Sequence, residues 1–140
     1  MNGKLIWSIF WALVGVFIVL VGTMVCPPPL LPRVIRSGLF LLISGALLLS
    51  LGTTFLVLTI KGKTKGIFRK FQLLTGASAV GIPVSIFLHN AVYGLFIHFF
   101  GADFWGEGDE PVFFIMAVLV CPIGFLVGAV GSIVLAKKKV

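Results

Sequence analysis

The chain has 140 residues, 59% hydrophobic and 11% charged, with a net charge of +7 and a mean hydropathy of +1.20. A soluble domain carries about a quarter charged residues, and a domain this small leaves much of its surface in water. The composition excludes a water-soluble fold, and the basic excess, placed at the ends of apolar runs, sets aside nucleic-acid binding.

The first run, approximately residues 5–25, follows Lys4 and ends before "CPPPLLPR" (26–33). It is longer than the apolar part of a signal peptide and lacks a small-residue cleavage site, so a retained helix is expected. The four prolines of the next stretch forbid helix and favour a stiff extended turn. The second run covers residues 37–60 and the third residues 71–100, with "KGKTKGIFRK" (61–70) expected as the loop between them. "GADFWGEGDEP" (101–111) leads into the fourth run, residues 112–136, and the sequence ends "KKKV". No run contains Asp, Glu, Lys or Arg. Each is long enough to cross a hydrocarbon core of about 30 Å as a helix, and the third is long enough to project beyond it.

These runs predict an all-α integral membrane protein. The whole of 1–140 is expected to form a single four-helix transmembrane domain, an up-down-up-down antiparallel bundle with no soluble domain. Nine of the eleven basic residues would share one side: Lys4, Lys61, Lys63, Lys65, Arg69, Lys70, Lys137, Lys138 and Lys139. Arg33, Arg36 and all four acids would lie on the other. The positive-inside rule then expects a multi-pass protein of the plasma membrane with both termini cytoplasmic, its basic side against anionic head groups. "KKKV" reads as a charge anchor beside the membrane.

Small residues recur at a seven-residue spacing, which returns to nearly one helix face. Ser8, Gly15 and Gly22 mark the first helix, Gly38, Gly45 and Gly52 the second, and Ala117, Gly124 and Gly131 the fourth. Gly124 and Gly128 also form a GxxxG element. In lipid such positions permit close helix packing, so these glycines are expected at helix–helix contacts.

The third run is the least uniform. On a helical wheel Ser78, Ser85, His89 and Tyr93 fall within about 40° of one line, with Asn90 beside it. Polar groups in hydrocarbon need partners, so this stripe is expected to face protein or a cavity. The readings are interhelical hydrogen bonding, or the lining of a small-molecule, lipid or quinone pocket. With no carboxylate inside any run, burial is expected to keep His89 neutral. His98 points to the opposite side, so the pair cannot share a metal within one chain. Pro83 and Pro122 each remove a helix donor and predict kinks, with a small pocket between them.

Cys26 and Cys121 form neither a CxxC nor a zinc spacing and read as small buried hydrophobes. The four outer acids do not match a calcium-binding loop and read as a solvated turn. Trp7, Trp11, Phe104 and Trp105 fit interfacial anchors. No metal or cofactor is expected.

"FFIMAVLVCPIGFLVGAVGSIVL", with "FLHN" upstream, resembles small four-helix membrane proteins of prokaryotes. The resemblance covers the last two helices and implies no mechanism. Small multidrug transporters need a carboxylate in the first helix, disulfide-oxidising and vitamin K epoxide reductase-like membrane proteins need a CxxC, and four-helix cytochromes need histidines on several helices. This chain has none of these. The expected function is therefore a non-enzymatic structural or accessory subunit packing through glycine-rich faces, in a homo-oligomer or a larger membrane complex. The alternatives are a small oligomeric channel or transporter, and a lipid- or quinone-binding protein using the polar stripe.

Overall fold

A computed structural model describes residues 3–26, 38–62, 64–106 and 108–138, without the side chains of Met24 and Val25. The proline-rich turn with Arg33 and Arg36, and also Lys63, Glu107 and Lys139, lie outside the described residues. Within them the chain is helical, with no strand. Helix α1 is Gly3–Val25, α2 Gly38–Lys61, α3 Gly66–Phe100, and α4 runs over Pro111–Lys137. All four are long and apolar enough to cross a membrane, as expected of a multi-pass membrane protein.

One boundary differs from expectation. The run 61–70 is mostly helix: α3 begins at Gly66 and carries Arg69 and Lys70 in its first turns. The Arg69 guanidinium donates from Nη2 to the Ile60 carbonyl at 3.2 Å. That carbonyl, in the last turn of α2, has no helical partner of its own. One side chain thus satisfies the end of α2 from the start of α3. At 35 residues α3 is about 52 Å long, well beyond a hydrocarbon core.

The core lies between one stripe of α1 and the other three helices. Ile6, Phe10, Leu13, Phe17 and Leu20 recur at helical spacing and are buried. Phe10 meets Phe55 of α2 at 5.9 Å between ring centroids, and Phe17 stacks on Phe125 of α4 at 4.1 Å. Trp7 packs on Phe10 and on Phe68 of α3.

The third helix contacts both α2 and α4 where side chains are small. A Cβ on Gly52 would lie 3.2 Å from that of Ala79, and one on Gly76 2.8 Å from Leu56. On the α4 side, a Cβ on Gly124 would lie 2.5 Å from Ser78 Oγ. A Cβ on Gly128 would lie 2.7 Å from the Thr75 amide nitrogen, and one on Gly131 would strike the Phe71 ring. At Gly128 the two backbones approach too closely to admit even a methyl group, and at the other four positions a methyl would press on a neighbouring helix. Such close approach maximises van der Waals contact where lipid gives no hydrophobic drive.

The expected glycine seams divide. Gly52, Gly124, Gly128 and Gly131 meet neighbouring helices, and Gly45 has only Pro83 at 3.9 Å. Among the described residues, nothing lies within 4 Å of a Cβ position on Gly15, Gly22 or Gly38. The α1 seam sits opposite the core stripe, because Ser8, Gly15 and Gly22 interleave with the aromatic positions that the core captures.

The two prolines also differ. Pro83 sits within α3, which remains one helix from Gly66 to Phe100. Before Pro122 the fourth helix widens into a π turn over Met116–Val120, where the Cys121 N–H reaches back to the Met116 carbonyl. Widening by one residue is a common accommodation of a disrupted helical ladder.

Candidate functional site

The polar side chains of α3 do not share one environment. Ser78 and Ser85 are buried, joined by Gln72 and Thr75 one and two turns earlier, and Thr75 Oγ1 donates to the Phe71 carbonyl at 2.9 Å. His89 and Tyr93 are half-buried. Asn90 is exposed, with its amide donating to the Ile86 carbonyl at 2.8 Å. His98 is exposed beside Phe99.

His89 is held by the turn that precedes α4. Its Nδ1 lies 3.1 Å from the Glu110 carbonyl oxygen and 3.3 Å from Glu110 Oε2. Its Nε2 lies 3.4 Å from Asp109 Oδ2. The Glu110 carbonyl only accepts, so the hydrogen is assigned to Nδ1 from its partner. A ring protonated at Nε2 as well would donate to Asp109. The premise that His89 meets no carboxylate therefore fails: the two acids stand outside every apolar run, and the turn folds them back over the helix.

Glu110 is the pivot of this arrangement and is 3% exposed. It caps α4, with Oε1 accepting from the Val112 amide at 2.8 Å and Oε2 from the Phe113 amide at 2.9 Å. Its own amide donates to Asp109 Oδ1 at 2.8 Å. Burial would raise the Glu110 carboxyl. The hydrogen bonds from His89 and from the amides of Phe113, Val112 and Phe114 outweigh that and hold it below its ordinary value. Pro111 follows at the first helical position, where a missing N–H costs nothing. That proline was the available sign of a helix start. Glutamate is not a favoured cap by type, so its role was not legible.

Aromatic rings surround the cluster. His89 and Tyr93 are stacked at 6.5 Å, Tyr93 and Trp105 at 6.0 Å, and the Phe114 ring lies 5.8 Å from His89. Trp105 donates from Nε1 to the Tyr93 carbonyl at 3.4 Å. Trp7 is half-buried against Phe68, whereas Trp11 and Phe104 are exposed.

Beside this cluster all four helices line a cleft of about 930 Å³. Its walls include Phe17 and Leu20 of α1, Leu42 and Gly45 of α2, Pro83 and Ile86 of α3, and Phe114 and Pro122 of α4. Both helix prolines line it, at the place where the sequence predicts a small pocket. Among the described residues its polar side chains are His89 and Asn90, at one end. Ser78 and Ser85 are not among its walls. They face α4 instead: Ser78 packs on Gly124, and Ser85 lies beside Cys121, which itself sits over Gly81. Cys26 and Cys121 are both free thiols. Among the described residues no three His, Cys, Asp or Glu side chains are grouped to hold a metal.

A second surface is the outward face of α1. Ser8, Trp11, Gly15, Ile18 and Gly22 are all exposed and alternate by three and four residues. That is an a/d seam with small residues at one position and large ones at the other.

The chain matches no protein-family model, no curated protein and no solved structure.

Proposed function

We propose that the chain is a non-enzymatic structural or accessory membrane subunit that assembles through the outward face of α1. In this reading it is an up-down-up-down bundle of the plasma membrane, with both termini cytoplasmic and its lysines against anionic head groups. The observation that carries it is the exposed alternation of small and large residues along α1. Trp11 and Ile18 serve as knobs, and the bare backbone over Gly15 and Gly22 serves as holes. The occupant proposed is α1 of a second copy, since this seam is self-complementary under a two-fold axis. The engaged state of the acid–base side chains supports a non-enzymatic role: Glu110 gives both carboxylate oxygens to α4 amides, and His89 is tied to the same turn.

The test is assembly in mild detergent. Gly15→Leu with Gly22→Leu should leave the monomer's melting temperature unchanged and reduce its native mass from dimer to monomer. Cysteine at position 15 should give a covalent dimer on oxidation in native membranes. Loss of a copurifying protein, with no dimer in the wild type, would replace the second copy by a heterologous partner. Unchanged mass and unchanged partners in the double variant would refute the seam. Orientation is tested separately by impermeant maleimide on intact cells, with labelling expected at Asp103→Cys and protection at Lys65→Cys.

A further inference from the structure

We infer that the four-helix cleft beside His89 is a binding site for a membrane amphiphile with an apolar chain and an uncharged, hydrogen-bonding head. The size fits first. About 930 Å³ lies in the range of small-molecule sites, roughly 300–1,000 Å³. The lining comes next. Leu42, Ile86, Phe87 and Phe114 give walls that a hydrocarbon chain can fill, and nothing in them offers a long polar ligand a partner along its length. On the membrane reading proposed above, on which this site rests, a cleft bounded by four helices that cross a bilayer opens into acyl chains, so the entering molecule is a lipid-soluble one.

The polar end selects the head group. His89 and Asn90 are its hydrogen-bonding side chains. Both imidazole nitrogens are already engaged, Nδ1 by Glu110 and Nε2 by Asp109 Oδ2 at 3.4 Å, so His89 forms a fixed polar wall and the open hydrogen-bonding positions at this end are those of Asn90. Asn90 spends one amide hydrogen on the Ile86 carbonyl, which leaves a second hydrogen and the amide oxygen for a ligand. Behind this end stand Asp109 and Glu110, with no described lysine or arginine beside them to offset the charge. Among the described residues, a phosphate head would meet two carboxylates and one histidine at this end. A carbonyl or hydroxyl head meets only hydrogen-bonding partners. Neutral glycerolipids and isoprenoid quinones both carry such a head, and both are chemistries the cleft admits.

Purified protein in mild detergent, examined by native mass spectrometry and by solvent extraction, distinguishes them. The expected result is about one neutral lipid per chain, enriched over the membrane extract; an ultraviolet spectrum that bleaches on borohydride marks a quinone, and an ester fragment pattern marks a glycerolipid. Either supports the site. Ala46→Trp and, separately, Leu42→Trp place an indole in the cleft from exposed wall positions. Both should lose the lipid while keeping the wild-type helical spectrum and melting. Asn90→Leu should retain it about fivefold less well, the effect of one lost hydrogen bond. Equal retention in wild type and both tryptophan variants would overturn the assignment. So would enrichment of an anionic phospholipid, or a covalent dimer formed through Ala46→Cys, which would place a second copy in the cleft.

Discussion

The two ends of this bundle are built on different principles. At the end marked by Arg69, helix backbones approach their neighbours closely through glycine. Gly128 meets the Thr75 amide and the Phe71 carbonyl, Gly131 meets the Phe71 ring, and Gly76 meets Leu56. At the end marked by His89, the helices stand apart around a cleft and are joined by side chains from a turn. The same residue type behaves differently at the two ends. Gly128 leaves no room for a methyl group, whereas Gly45 has one ordinary neighbour at 3.9 Å. The π turn at Met116–Val120 and Pro83 both fall on the cleft side of the densely packed stretch. One end is held by dispersion between close surfaces, and the other by directional polar contacts that leave space between helices.

The largest effect that would sharpen this contrast is at Gly128. Gly128→Ala drives a methyl into backbone atoms at 2.7 and 2.9 Å, which no rotamer change relieves. A loss of about 3 kcal/mol is expected, the upper part of the overpacking range, read as a lower melting temperature in detergent. If Gly45→Ala cost as much, the two ends would be packed alike and the comparison would fail.

Gly81→Ala comes next, at the boundary between the ends. Its Cβ would lie 2.7 Å from Cys121 Sγ, a side-chain atom that can be removed. The expected cost is about 1–2 kcal/mol, recovered when Cys121→Ala is added, because the clash then disappears. Additive losses in the double variant would place the strain elsewhere.

At the polar end the measurable quantity is pH dependence. The Glu110 carboxyl is held below its ordinary value of 4.5, so the folded state favours the ionised form. Its contribution is fully present above that value and is lost as pH falls below it, through the lower folded value. Melting temperature should therefore drop on acidification below about 4.5 more steeply in wild type than in Glu110→Gln. Parallel curves would mean that the turn does not hold α4 through this carboxylate.

The smallest effect is expected at Gly45, where a methyl meets one ordinary contact, Pro83 at 3.9 Å. Alanine there removes the flexibility of glycine in a helix and should be neutral or stabilising by about 0.5 kcal/mol. A clear loss at Gly45→Ala would show the cleft to be narrower in solution.

Much of the architecture is legible in the residues themselves. An apolar run of 20 or more residues has few alternatives to a helix, so all four runs became helices of spanning length. The error at 61–70 came from reading charge as loop, when a basic helix end can extend past the apolar segment and cap its neighbour. The seven-residue glycine pattern identified where close approach is possible, but not which face would be used. In α1 that depended on Phe10 and Phe17, whose bulk made the opposite face the core. The polar stripe of α3 was legible as a stripe, because spacing alone sets it. Its division was not: Ser78 and Ser85 pack against α4, while His89 turns to a site completed 20 and 21 residues later by Asp109 and Glu110. Local periodicity determines which side chains share a face. Only the tertiary structure decided what that face meets, because the carboxylates that hold His89 reach it through the fold of a connecting turn and not through any spacing along a helix.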